Sequence, residues 1–100
     1  MVARVKVISG IYFIKNKRNG RIYIGSSVNV QRRINQHKIL LNSGTHGNEV
    51  LQGDYRRYGS SAFDFRLVLT VHMSMLRTTE QQLITNLQPY YNVCKIVTRK

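Results

Sequence analysis

Three kinds of side chain in this 100-residue sequence stand where chemistry can use them. Glu80 is the sharpest. At about 100° per residue it falls between Leu76 and Ile84, inside the apolar stripe of a helix. A carboxylate there pays desolvation unless a cation meets it. Two readings satisfy that demand: an ion pair with one of the many arginines, or a metal ligand at the edge of a cleft. Tyr12 and Tyr23 are each bracketed by glycine, in Gly10-Ile11-Tyr12 and Tyr23-Ile24-Gly25. Glycine in or at the end of a strand often marks close approach of another backbone or a ligand. As sheet aromatics the tyrosines need no function. As bases they need nearby positive charge to bring a phenol down from its usual pKa near ~10.

Arg33 and His37 lie four residues apart, one above the other beside a helix's apolar stripe. That points Arg33, rather than its neighbour Arg32, into a cleft. Its planar fork suits a phosphate. His37, His46 and His72 are too scattered for a zinc site, and His72 reads as a loop residue.

The elements that must position these residues follow from patterning. Residues 9–15 and 21–25 are β-branched and aromatic around the turn sequence NKRNG, which is a hairpin. Pairing Ile14 with Arg21 sets Tyr12 across from Tyr23 and Gly10 across from Gly25. Asn29 caps a helix over about 30–42 that ends near Gly44, with Val30, Ile34 and Leu41 as its stripe. A shorter helix covers about 48–58, turns Leu51, Tyr55 and Tyr58 inward and stops at Gly59. Residues 63–70 form a third strand with Phe63, Phe65, Leu67 and Leu69 on one face. A last helix covers about 75–87, with Leu76, Leu83, Ile84 and Leu87 inward, and Pro89 ends it. The tail YYNVCKIVTRK packs back on the sheet. The order ββααβα describes one α/β (α+β) domain over residues 1–100, a small three-stranded, mainly antiparallel sheet flanked by about three helices.

Composition narrows the partners. Lys plus Arg is 16 and Asp plus Glu is 4, a net charge of +12 that selects polyanions. The hydrophobic fraction of 42% is enough for one modest core. No apolar run approaches the ~18 residues of a membrane span, and the start lacks the apolar stretch of a secretory signal. The single Cys94 cannot form an internal disulfide, which fits a reducing cytoplasm. The carboxylates are Glu49, Asp54, Asp64 and Glu80, too few for a two-metal site built from clustered acids. One Mg²⁺ ion on one or two carboxylates suits this chain, because Mg²⁺ keeps waters and takes ligands from substrate phosphate.

Both glycine-tyrosine triplets, with ten residues between the tyrosines, then Ser26, Arg33, His37, Glu80 and Asn92 in order, resemble the GIY-YIG nuclease family over about residues 8–95. The look is closest to the catalytic domains of phage and intron-encoded homing endonucleases, where a histidine like His46 also occurs. The resemblance implies a DNA endonuclease that hydrolyses phosphodiester bonds with one divalent ion, Mg²⁺ or Mn²⁺, in a bacterial or phage-infected cell. It implies that one of Tyr12 and Tyr23 activates the attacking water, with Tyr12 favoured as base and Tyr23 orienting water or phosphate. It assigns Arg33 to the scissile phosphate, Glu80 to the metal, Asn92 to supporting hydrogen bonds, and His37 and His46 to assisting roles. Gly25, Ser26 and His46 are expected on the substrate side. A DNA-binding region after the nuclease domain, usual in homing enzymes, is not evident before Lys100, so binding is expected to be sequence-blind, by a monomer. The alternative is a catalytically inactive basic nucleic-acid-binding module, and a third reading is a structural RNA-associated protein.

Overall fold

The computed structural model describes residues 7–93. Strand β1 (Gly10–Asn16) lies between β2 (Ile22–Ser27) and β3 (Phe63–Thr70), and both pairings are antiparallel. Around this three-stranded sheet lie α1 (Val30–Ser43), α2 (Glu49–Tyr58), α3 (Leu76–Leu87) and the one-turn α4 (Tyr90–Val93). The three helices expected are present, and α4 is the addition.

The hairpin register differs from the expected one by two residues. Tyr12 pairs with Gly25, Ile14 with Tyr23 and Gly10 with Ser27. The turn is the cause. The Asn16 amide donates to the Arg21 carbonyl at 2.8 Å, so the loop holds four residues rather than two. Gly20 supplies the left-handed residue (φ 77°) such a loop uses. A shift of two leaves every side chain on its face. Tyr12, Ile14 and Tyr23 therefore still share one side of the sheet, while Ile11, Ile24 and Ser26 share the other.

The expected stripe on β3 is broken for a second reason. Leu67 pairs with Tyr12 but Leu69 pairs with Ile11, so Val68 is an extra residue in a bulge. The bulge turns Leu69 to the opposite face from Phe63, Phe65 and Leu67. Beyond Phe65 this edge strand is exposed, with Leu69 46% accessible. Leu87, expected inward at the end of α3, is also exposed, at 58%.

The main core sits on the tyrosine face. Tyr12 and Ile14 pack with Val30, Ile34 and Leu41 of α1, Leu51 and Tyr55 of α2, and Phe63 and Tyr91. On the other face α3 packs against β2 and β1, where Ile11, Ile24 and Leu76 are buried. The sheet is therefore covered on both sides, and its β2 edge is where the α1 and α3 layers meet. Helix α4 packs on β2 through Tyr91, as expected of the tail. The Tyr91 hydroxyl donates to Asp54 Oδ2 (2.6 Å) and accepts from Asn16 Nδ2 (3.3 Å), and Arg21 pairs with the same Asp54 oxygen (3.1 Å). The rest of the tail, including Cys94, lies outside the described residues.

Capping fixes where α1 begins and ends. The Asn29 side chain accepts from the Arg32 amide, and Gly44 (φ 79°) closes the helix in the left-handed region. Asn29→Ala should lower stability by about 1 kcal/mol. That is a fall in Tm of roughly 4–8 °C for a domain of this size. A melt unchanged from the parent would show that the cap contributes nothing.

Candidate active site

The site begins with a missing side chain. Tyr12 stands across from Gly25, and its ring lies over that residue. A Cβ built on Gly25 would overlap the Tyr12 hydroxyl and Cζ. Only glycine leaves room for the phenol there. Tyr12 is 1% exposed. Burial first, then the Tyr23 and Glu80 charges, push its pKa above the usual value, and Arg33 pulls it down.

Helix α1 brings His37 to this phenol. His37 is fully buried, on the stripe with Ile34 and Leu41 rather than beside it. Its Nε2 is 2.7 Å from the Tyr12 hydroxyl, and its Nδ1 is 2.7 Å from His46 Nε2. His46 lies on the α1–α2 loop, where its Nδ1 accepts the Asn48 amide at 3.0 Å. Burial lowers the pKa of both imidazoles, to about 3 for His37, with Arg33 adding to the effect in each. Both are neutral at physiological pH.

Tyr23 is half-buried beside them. Its ring is 6.4 Å from that of Tyr12 and 5.5 Å from that of His37. Its pKa is raised by burial and then by Glu80, and lowered by Arg33 and by the neighbouring Tyr12. Arg33 is half-buried while Arg32 is exposed, as expected from the sequence. Its guanidinium contacts Gln36 at 3.3 Å and makes no ion pair among the described residues. Its positive charge reaches both tyrosines and both histidines.

Glu80 approaches from the other face of the sheet, around the β2 edge. It accepts a short hydrogen bond from the Ser26 hydroxyl. Among the described residues the ion pairs are Arg21–Asp54 and Arg66–Asp64, and Glu80 is in neither. Its carboxylate, without a basic partner among the described residues and next to a hydroxyl, is a hard-oxygen donor set of the kind Mg²⁺ accepts. No group of three or more His, Cys, Asp or Glu that could hold a metal occurs among the described residues. Asn92 works on the same edge strand. Its Oδ1 accepts the Ile24 amide (2.7 Å) and its Nδ2 donates to the Ile24 carbonyl (2.9 Å), in the manner of a neighbouring strand.

Tyr12, Tyr23, Arg33, His37, His46 and Glu80 thus form one electrostatic cluster, with Gly25 making space and Asn92 bracing the strand. Ser26, expected on the substrate side, holds Glu80. Sequence reasoning did not find Gln52, Asn48, Asp54 or Tyr91, which fix the loop and α4. The visible signal for Gln52 was an amide beside Leu51, on the inward side of α2.

A family model described as the GIY-YIG catalytic domain matches residues 8–92. The chain belongs to the GIY-YIG family. It is 36% identical over 52 residues to Intron-associated endonuclease 1 of Enterobacteria phage T4, a match that covers 52% of this chain and 21% of that protein. The matched part is thus about a fifth of that relative's length. Its fold is similar to the solved catalytic domain of homing endonuclease I-TevI, with TM-score 0.76 and 26% identity over 90% of this chain and 99% of that one. A mutant of the I-TevI catalytic domain matches with TM-score 0.76 and 25% identity, over 93% and 97%. Among the described residues no helix is long and apolar enough to cross a membrane. The GIY-YIG triplets are the Tyr12 and Tyr23 segments, and their second glycine is the one the Tyr12 ring covers.

The buried neutral His37 makes stability depend on pH. The unfolded chain takes up the proton near 6.5 and the folded one near 3. Stability is therefore full above pH 6.5 and falls as pH drops between those values. Each pH unit in that window costs up to about 1.4 kcal/mol. Urea unfolding at pH 7.5 and 5.0 should show a loss of about 2 kcal/mol, and His37→Gln should flatten most of it. An equal loss in the variant would assign the effect to other groups.

Proposed function

We propose that this GIY-YIG domain is a DNA endonuclease that hydrolyses a phosphodiester bond at the β2 edge. The observation that supports this most is the convergence of Arg33 and Glu80 on the tyrosine pair. Among the described residues a cation without a carboxylate partner and a carboxylate without a cation act on the same two phenols. That is a site arranged for an anionic substrate and a positive ion.

Each residue has a part set by its place. Arg33 binds the scissile phosphate and stabilises charge that grows on its non-bridging oxygens. Tyr23, half-buried where Tyr12 is fully enclosed, is the phenol that reaches a water molecule. We therefore give Tyr23 the role of base that the sequence reading favoured for Tyr12. Arg33 opposes the effect of burial and Glu80 on the Tyr23 pKa, and in its ionised form Tyr23 takes a proton from water as the water oxygen attacks phosphorus and the bond to the leaving oxygen breaks. Tyr12, its ring 6.4 Å from that of Tyr23 and its hydroxyl held by His37, packs beside the base and fixes its ring. Glu80, oriented by Ser26, would hold a single Mg²⁺ or Mn²⁺, which supplies Lewis-acid stabilisation of charge on the leaving oxygen when bound. Asn92 keeps the strand under Tyr23 in place. The net charge of +12 binds the DNA backbone without reading its sequence.

The test is nicking of supercoiled plasmid with and without Mg²⁺. The parent should nick only with the divalent ion. Glu80→Gln should lose at least 10²-fold in rate, the order seen for removing one electrostatic stabiliser, while DNA affinity stays within about threefold. Affinity itself should fall steeply with salt, with a log–log slope of roughly −0.9 per phosphate neutralised. Undiminished cleavage in excess chelator, or by Glu80→Gln, would remove the metal from the mechanism. Binding without cleavage under any condition would leave an inactive nucleic-acid-binding module.

A further inference from the structure

We infer that Tyr12 is polarised by a one-way chain of hydrogen bonds that starts at the backbone amide of Asn48, and that Gln52 is the positioning residue which sets that starting point. The inference deepens the proposed function and rests on its reading of the tyrosines as chemical groups.

The direction of the chain follows from one donor that has no choice. A backbone N–H can only donate, and the Asn48 amide is 3.0 Å from His46 Nδ1. His46 Nδ1 is therefore an acceptor and carries no hydrogen. A neutral imidazole has one N–H, so His46 carries it on Nε2. That hydrogen points to His37 Nδ1, 2.7 Å away. His37 Nδ1 then accepts, and its own hydrogen is on Nε2. This is donated to the Tyr12 oxygen, 2.7 Å away. Tyr12 thus accepts at its oxygen, beside the Tyr23 ring, whose centroid is 6.4 Å from its own.

All the dipoles in the chain point the same way, from the α1–α2 loop toward the cleft. Hydrogen bonds in series polarise one another, so the last acceptor gains most. Negative charge on the Tyr12 oxygen is the state such a chain favours. The same geometry forbids a proton exit through the histidines. A proton moving outward would have to appear on His46 Nδ1, where the Asn48 N–H already sits. A proton on Tyr12 therefore leaves on the cleft side.

Gln52 is what holds the start of the chain. It is buried on α2, and its Oε1 accepts the His46 amide at 3.0 Å. Its Nε2 donates to the Leu41 carbonyl at 3.1 Å. One side chain thus ties the His46 backbone to the end of α1, which carries His37. Asn48 is fixed beside it by two bonds of its own, Oδ1 to the Leu51 amide (3.0 Å) and Nδ2 to the Tyr91 carbonyl (2.8 Å).

The experiment is ¹⁵N NMR of the imidazoles in the parent protein at pH 7.5, alongside Gln52→Met. In the parent, His37 and His46 should both be single Nε2–H tautomers. Gln52→Met keeps the volume and loses both hydrogen bonds. It should give a mixture of tautomers at His46, with kcat down on the order of tenfold to a hundredfold and KM for DNA unchanged. His46 protonated on Nδ1 in the parent overturns the chain, and an unchanged His46 spectrum in a folded Gln52→Met overturns the role of Gln52. Should Gln52→Met fail to fold, Gln52→Glu keeps an acceptor for the His46 amide. A single Nε2–H tautomer there supports the assignment, and a mixture contradicts it. The spectra are read in the resting protein, so they stand or fall apart from whether the tyrosines cleave DNA.

Discussion

The buried hydrogen bond between Tyr12 and His37 is the contact on which the rest of this domain turns. It joins the central strand to α1 inside the core, at 2.7 Å and with both residues almost wholly enclosed. Neither group can be satisfied by water there, so each is costly without the other. The polar pair persists because its partners are complete. His37 is held by His46, His46 by the Asn48 amide, and the His46 backbone by Gln52. A core of this size gains little from such a network and is exposed to its failure. Its presence is more readily understood as positioning than as stability.

From that contact the layout of the site follows. The Tyr12 ring must cross β2, and Gly25 is the residue that lets it. Once it does, Tyr23 is left at the strand edge, between the α1 layer that carries Arg33 and the α3 layer that carries Glu80. A sheet covered on both faces offers its edge as the place where groups from opposite sides can meet. Asn92 protects that edge from distortion by occupying the Ile24 amide and carbonyl, and the Tyr91–Asp54–Arg21 cluster anchors Asn92 from behind.

Much of this was legible in the sequence because local chemistry decided it. Asn29 and Gly44 bracket α1 as capping requires, and Gly59 ends α2. The candidate residues also survived an error in the hairpin register. NKRNG can form a two-residue or a four-residue loop, and the two differ by a shift of two, which preserves faces. The bulge at Val68 was not legible, since Leu-Val-Leu-Thr is apolar throughout and marks no break. Nor was the histidine chain. Its links span 25 residues from Tyr12 to His37 and 9 from His37 to His46, and the last depends on the path of a loop. Glu80 was visible as an apolar-stripe carboxylate, but its partner Ser26, 54 residues away, was not.

The most direct measurement of the account is the single-turnover cleavage rate of Tyr23→Phe and Tyr12→Phe at saturating enzyme and Mg²⁺, each paired with a thermal melt. Phe keeps both rings. Tyr23→Phe should cleave about 10²–10⁴-fold more slowly, the range for loss of a general base, with its melt near the parent's. Tyr12→Phe should lose less rate and more stability, by about 1–3 kcal/mol, because the buried His37 Nε2–H loses its acceptor. A Tyr23→Phe protein that cuts DNA at the parent rate would contradict the account, since the more accessible phenol would then be a sheet aromatic and no more.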